Sequence, residues 1–532
     1  MSGKIFNLLT DALITAAPLG ALTLPGTLAA LARDEVDDFP ALRAHQGMFW
    51  HMFLVQLAAL ALHGAGETEI PQDEETWCRL LRGLTKDFPD DEPWCLVVDD
   101  WSKPAFMQAR VPDGVMLEKP VPSPDALDLL ITAKNHDLKQ VVARKAEPED
   151  WLFALIAQQT GGTYDVQNGN TIRTGNVYAP RICMSLAPGG DAHSQSPRLG
   201  RWFSRSVRRL METRDDMGIF ADSHGVALTW IIEWPRDKQL QPHELDIWFI
   251  EICRRVRLIH DGNISAVSKS DKKAPIYGDP LKRLAFDPWT PAHKIEARLF
   301  KLEPRGFHYK ELTKVLLGER RKGADVHDWV LPPLLELGTT DGDSGTLLLV
   351  AQGIAAHQRK TGLLGFHSRI LPLEGKVSLA LGLRRPELHE LAQAQVATIA
   401  FFDEAMRDAL VLAAAGGERE RIKKDLYEHT GPARAHLDRY ADEIFFEHLW
   451  RRFDAQEAGP EALQAEEKTF AGKLWDRTQA ILEQCLPALP CASLFRPRAE
   501  ARARALLRGA VRKRYPDLFP KQQQMEAMTD AA

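Results

Sequence analysis

Residues 352–369 read QGIAAHQRKTGLLGFHSR. Gln358 stands between His357 and the basic pair Arg359 and Lys360, with Thr361 and Gly362 directly after. A further glycine, a histidine and an arginine follow. The apolar run TLLLV at 346–350 reads as a strand, and RILPL at 369–373 as its return. The spacing therefore predicts a hairpin with Gln358 in the turn. No enzyme motif has this form. A compact turn with basic flanks and one uncharged amide suits insertion into nucleic acid. Spacing alone does not separate that role from an ordinary polar tip.

Around this stretch the chain runs to 532 residues, room for roughly two to four domains. Net charge is −6, so any polyanion contact must come from local basic patches. Six scattered cysteines form no C-x-x-C pair, which argues against a zinc cage or disulfide framework and fits a reducing cytosol. Asn7 and Asp11 interrupt the apolar N-terminus, which is a poor signal peptide. The apolar run 48–62 contains His51 and Gln56, is short for a bilayer, and reads as a buried helix. A cytoplasmic protein with no membrane partner is expected.

The expected fold class is α+β. Residues 1–375 form a large mixed domain with short sheets and helices, and residues 376–532 a C-terminal four-helix bundle. Helices are expected before residue 62, from an acid- and proline-led start near 37–40, and over 149–159 behind Pro148. ALTWIIEW at 227–234 reads as a strand ended by Pro235. LDIWFIEICRRVRL at 245–258 reads as an amphipathic helix, with Arg254, Arg255 and Arg257 near its C-terminal end. In the C-terminal part Leu437, Tyr440, Ile444, Phe445 and Leu449 recur at helical spacing. Gly416–Gly417, Gly431–Pro432 and Gly459–Pro460 punctuate at helix-length intervals.

Further segments suggest phosphate or groove contacts. TGGTYDVQNGNTIRTG at 160–175 has glycines that let the backbone approach a ligand, and Arg173 to hold a phosphate. It matches no nucleotide-binding fingerprint, and surface turns have the same composition. SKSDKK at 268–273 offers Lys269, Lys272 and Lys273, or an ordinary solvated loop. Arg201, Arg205, Arg208 and Arg209 recur at helical spacing near Trp202. The last helix carries Arg496, Arg498, Arg502, Arg504, Arg508, Arg512, Lys513 and Arg514 against one acid, Glu500. So dense a strip in an acidic chain points to a polyanion or an acidic partner. GDSG at 342–345 is better read as a tight turn than as a protease nucleophile.

Several of these segments, in order, resemble the large subunit (CasA family) of the type I-E CRISPR Cascade complex. FNLLTDALI at 6–14, PAFMQ at 104–108 (family H-P-F-M-Q), the blocks at 227–234 and 245–258, and FDPWTP at 286–291 are all similar to family segments. The 352–369 stretch resembles a family pattern N-Q-x-K-T-x-G-x-H-x-R, and the likeness spans nearly the whole chain. The resemblance implies a non-catalytic subunit that reads the protospacer-adjacent motif (PAM) of double-stranded target DNA from the minor groove. It would then seed the R-loop beside the guide RNA and other Cascade subunits, and help recruit a helicase–nuclease. Gln358, with His357, Arg359 and Lys360, matches the wedge, although the family often has Asn and Ala beside the Gln.

The glycine loop maps to Gly161, Gly162, Thr163, Tyr164, Gly169 and Arg173. The lysine finger is Lys269, Lys272 or Lys273. Residues 133–145 resemble a loop near the guide's 5′ end, with Lys134, Asn135, His136 and Lys139 as contacts. The basic helices, through Arg201, Arg205, Arg208, Arg504, Arg508 and Arg512, are candidates for strand or phosphate contacts. No cofactor and no metal is expected. One alternative is a metal-dependent phosphohydrolase or nuclease using the dyads His136–Asp137, His260–Asp261 and His327–Asp328, with Asp341 and Asp343. The other is a protein-only scaffold.

Overall fold

The computed structural model describes residues 4–129, 146–161, 180–189, 196–214, 219–221, 225–234, 238–269, 275–277, 286–296, 298–321, 324–326, 328–338, 346–356, 363–373 and 385–519. The chain divides into two units. One comprises residues 1–307 and 328–378, the other 308–327 and 379–532.

The first unit is built around helix α2 (Ala44–Ala65). Its sequence, AHQGMFWHMFLVQLAALALHGA, has one β-branched residue and no proline, so it propagates as helix. The Arg43 N–H donates to Gln46 Oε1 at its start (3.0 Å), and Gly66 closes it at φ +70. By length and composition α2 is apolar enough to cross a membrane, but 83% of its most apolar window is buried inside the protein. Helices α3 (Glu74–Gly83), α4 (Pro148–Gly161) and α5 (Leu199–Glu212) pack against it, and α1 (Leu24–Ala32) lies against α3 and α5.

The strands are short. β1 (Lys4–Asn7) pairs with β4 (Cys95–Val98), and β2 (Ile14–Ala16) with β3 (Gly20–Leu22). β5 (Lys119–Val121), β10 (Asn263–Lys269) and β9 (Arg255–Asp261) form one antiparallel sheet. β7 (Val226–Leu228) runs parallel to β8 (Leu245–Ile250). β11 (Ala292–His293) lies between β12 (Arg298–Leu299) and β15 (Trp329–Val330). The sheet that matters most has β16 (Leu347–Ala356) in its centre, flanked by β17 (Leu363–Leu373) and β6 (Cys183–Pro188).

The helix expected over 245–258 is not there. The run folds as β8 and β9, joined by residues 251–254. Apolar residues recur there at both periods, and the short run LDIWFI is buried at all six positions, so periodicity could not separate strand from helix. Its arginines do not lie on a solvated helix end. Arg257 is fully buried and donates to the carbonyls of Val98 (2.7 Å) and Lys103 (3.0 Å). Burial pulls its guanidinium down to about 10, which still leaves it charged at neutral pH. The strand expected over 227–234 is shorter too: after β7 the chain turns through a single 3₁₀ turn, Thr229–Ile231.

The second unit holds four long helices: α7 (Arg385–Ala414), α8 (Gly431–Ala458), α9 (Pro460–Cys485) and α10 (Arg496–Arg514). The expected glycine and proline punctuation is where they break. Gly416 and Gly417 follow α7 at positive φ, and Gly459 at φ +118 separates α8 from α9. Leu437, Phe445 and Leu449 are buried, while Tyr440 and Ile444 are half-buried. Residues 308–327, with α6 (Tyr309–Leu317) and the β13 (Glu319–Arg321)–β14 (Ala324–Val326) ladder, join this unit. There the Tyr309 ring stacks on Phe445 at 4.5 Å and its N–H donates to Asp442 (2.6 Å).

Candidate nucleic-acid interface

The hairpin read from the sequence is present. β16 and β17 pair from Leu347↔Leu373 to Ala356↔Leu363, with a bulge between Ala355 and Ala356. The connecting residues 357–362, which include His357, Gln358, Arg359 and Lys360, lie outside the described residues. The arms are held from behind. Arg369 donates to the Phe307 carbonyl (2.7 Å), and Ala356 N–H to the Leu302 carbonyl (3.2 Å). Gly353 packs so closely on Ile182 that an added Cβ would stand 2.8 Å from its Cδ1.

β6 ties a second predicted loop to this hairpin. Cys183, its first residue, pairs with Gln352, so the four residues from there to Ala356 carry the hairpin arm about 13 Å further. Residues 162–179 leave the chain at Gly161 and rejoin it just before β6. Of the glycine-loop candidates, Gly162, Thr163, Tyr164, Gly169 and Arg173 lie outside the described residues. Gly161 ends α4, and its carbonyl accepts from Arg181 N–H (3.1 Å), closing the base of the segment. An added Cβ at Gly161 would stand 2.0 Å from the Phe49 ring, so glycine is required there by close packing.

Arg181 is the post at that base. It is 1% exposed, its Nε donates to Asp287 (2.6 Å), its Nη1 to Gln56 Oε1 (3.0 Å), and it lies over Trp289 at 5.0 Å. Asp287 uses its other oxygen to accept from the N–H groups of Trp289 and Thr290 (2.9 Å each). FDPWTP is thus the socket for Arg181. The Gln56 amide in turn donates to the carbonyls of Trp248 and Phe249 (3.0 Å each).

The stretch before the third predicted segment belongs to the same frame. Gln159, fully buried two residues before Gly161, makes four bonds. Its amide donates to the carbonyls of Met107 and Arg254 (3.0 Å each), and its oxygen accepts from the N–H groups of Cys253 (2.8 Å) and Arg254 (3.0 Å). The next residue, Arg255, pairs with Lys269 at the end of β10, from which residues 270–274 depart. Lys269 donates to the Met116 carbonyl (3.2 Å), while Lys272 and Lys273 lie outside the described residues. Gln108 of PAFMQ joins Leu96, Phe106 and Leu258 in the same way. Burial pushes the Cys253 thiol up to about 12 and the Cys183 thiol up as well, so both pack as neutral groups.

Lys134, Asn135, His136 and Lys139 lie outside the described residues. The chain leading to them is fixed at the head of α2, where Asp128 accepts from Gln46 (2.6 Å) and meets His45 (2.7 Å), and Arg43 pairs with Asp125. Among the basic residues of α5, Arg201 and Arg208 are exposed, and Arg201 bonds Asp34 (3.2 Å). Arg205 is 4% exposed and donates to the carbonyls of Leu186, Leu334 and Glu336. On α10, Arg504 pairs with Glu483 (2.7 Å) and Glu500 (3.2 Å), Arg508 lies over Phe519 at 5.6 Å, and Arg512 is exposed. His260 and Asp261 are exposed at the end of β9. His136, Asp137, His327, Asp341 and Asp343 lie outside the described residues.

No protein-family model matches the chain, and no curated protein does. Solved structures do, and they define the class: the fold is that of the CRISPR-associated Cse1 and CasA proteins. The chain is similar over 98% of its length to 99% of Cse1 from Acidimicrobium ferrooxidans, at TM-score 0.63 and 13% identity. It is similar over 96% to the whole of Thermus thermophilus CasA (Cse1), at 0.55 and 13%. Over 95% it is similar to the whole of a chain of a CRISPR RNA-guided surveillance complex, at 0.54 and 13%. The likeness to CasA carried by the sequence motifs and the α+β expectation both agree with this fold.

Proposed function

We propose that the chain is a non-catalytic DNA-recognition subunit of a CRISPR RNA-guided surveillance complex. In this reading it meets double-stranded target DNA through the minor groove, reads a short PAM, and wedges the first base step open with Gln358. The guide RNA and partner subunits then extend the R-loop, and a helicase–nuclease is recruited afterwards, in the cytoplasm.

The observation that carries the reading is the shared frame. The bases of residues 162–179, 270–274 and 357–362 are held by contiguous contacts: Gln159 to Arg254, Arg255 to Lys269, Gly161 to Arg181, and Cys183 to Gln352. A frame of that kind supports the reading of a glycine loop, a lysine finger and a wedge that act together on one duplex. The minor groove offers a degenerate code, which suits a short, tolerant motif. Opening a step costs on the order of a few kcal/mol, which an inserted side chain offsets. RNA–DNA pairing then replaces DNA pairing near balance, so the protein needs only to initiate. The exposed cations Arg201, Arg208 and Arg512 supply salt-dependent phosphate contacts.

The test is Gln358→Ala in the assembled complex, assayed on intact duplex and on a target with the first base pairs already open. The expected result is a loss confined largely to the intact duplex. Equal loss on both substrates refutes the wedge.

A further inference from the structure

Residues 301–307, KLEPRGF, lie against the arms of the hairpin and are tied to them at both ends. At one end the Ala356 N–H, the last of β16, donates to the Leu302 carbonyl (3.2 Å). At the other Arg369 of β17 donates to the Phe307 carbonyl (2.7 Å). Leu302 and Phe307 are 1% and 4% exposed. Both close on Gly353 of β16, where an added Cβ would stand 3.3 Å from Leu302 Cδ2 and 3.4 Å from Phe307 Cζ.

Between the two ties the chain makes a β-turn. The Gly306 N–H donates to the Glu303 carbonyl (2.9 Å), with Pro304 second and Gly306 fourth, positions these residues favour. Gly306 has φ +73, and an added Cβ would stand 2.6 Å from His367 Nδ1, so the turn is pressed onto β17. Its other residues, Glu303, Pro304 and Arg305, are exposed. The proline ring fixes one dihedral, and the ties fix the rest. Arg305 is therefore carried on backbone that is ordered before any ligand arrives, which lowers the entropic cost of binding.

The charges here favour an anion. β16 and β17 contain no carboxylate, and Arg369 is their one permanent charge. Burial lowers the pKa of the His367 imidazole, which is thus neutral at pH 7. The strap adds Lys301, Glu303 and Arg305, so three cations stand with one acid in a chain of net charge −6. Glu303 acts within the strap: burial lowers the pKa of the Lys301 ammonium, and this carboxylate raises it. A guanidinium fork matches a phosphate in bidentate fashion. The turn holds no amide or hydroxyl side chain beside Arg305, so a contact made there positions the nucleic acid without reading its bases.

We infer that the 303–306 turn is a further DNA-contacting element, in which Arg305 binds a backbone phosphate of the duplex beside the step that Gln358 opens. The inference rests on the proposed wedge, which brings the duplex to this hairpin.

The guide-RNA complex containing the full chain tests it. Affinity for a matched duplex is measured against salt, with the PAM intact and scrambled, for the native chain, Arg305→Ala and Arg305→Lys. Melting temperatures report that the variants fold. Arg305→Ala should lower the slope of log affinity against log salt by about one and weaken binding roughly threefold or more at low salt, alike on both duplexes. Arg305→Lys should keep most of the slope, since an ammonium still meets phosphate as a point charge. A slope that Arg305→Ala leaves unchanged overturns the assignment. So does a slope that lysine lowers as far as alanine, or a loss confined to the PAM-bearing duplex. The wedge is judged separately, by the difference between intact and pre-opened targets with Gln358→Ala, so the two ideas fail by different results.

Discussion

Replacing Gln159 with leucine tests the frame apart from the segments proposed to meet DNA. The side chain is fully buried, and its four hydrogen bonds all go to backbone groups of other segments: Met107, Cys253 and both groups of Arg254. Leucine has nearly the same volume but pairs with none of them. Each lost bond is worth about 1 kcal/mol net, and each orphaned partner stays out of water. The loss is therefore about 4 kcal/mol or more, charged to the first unit alone. In a unit of this size each kcal/mol moves the melting temperature by roughly 2 °C, so a shift of about 8 °C is expected. Scanning calorimetry should resolve the two units, since a chain of this organisation need not melt in one step. Gln395→Leu is the control, because Gln395 bonds the Phe445 carbonyl inside the helical unit (2.6 Å). It should move only the other transition. A shift below about 2 °C for Gln159→Leu, or movement of the helical unit's transition, refutes the reasoning.

Three further outcomes are expected. Gly161→Ala places a methyl 2.0 Å from the Phe49 ring, and overpacking of this kind costs about 1–3 kcal/mol, read as a lower urea midpoint of the first unit. Replacing the lysine finger, Lys269, Lys272 or Lys273, with alanine should lower the slope of log affinity for duplex against log salt by about one; an unchanged slope for all three excludes a phosphate-contacting finger. His51 supplies the pH dependence. Its folded value of about 3 lies below the unfolded 6.5, so from pH 6.5 downward the unfolded chain holds a proton that the folded one refuses. Stability should fall with pH through that window by about 1.4 kcal/mol per unit, and His51→Phe should flatten the slope between pH 6.5 and 5.

The hairpin and the bundle were legible because their signals are local. A polar, glycine-bearing turn between two apolar runs states its own pairing, and Gly459–Pro460 ends one helix and begins the next within two residues. Residues 245–258 misled because a short, fully buried run shows no exposed face to set its period. The frame was missed for a different reason. Gln159 and Gln56 sit inside apolar helices and meet partners 52 to 193 residues away in sequence. Their one local signal is an amide where the pattern calls for a hydrocarbon. Asp287 was visible only as part of a motif, and Arg181 not at all. Arg205 shows the converse, since a basic helical stripe reads as surface, and only the fold reveals that one of its cations is buried and bonded to three backbone carbonyls.

The central claim is tested most directly by R-loop formation on a matched supercoiled target, with and without this chain in the guide-RNA complex, and with the PAM intact or scrambled. The account expects R-loops only when both the chain and an intact PAM are present. R-loops that form equally well without the chain would contradict it and leave a scaffold role in its place.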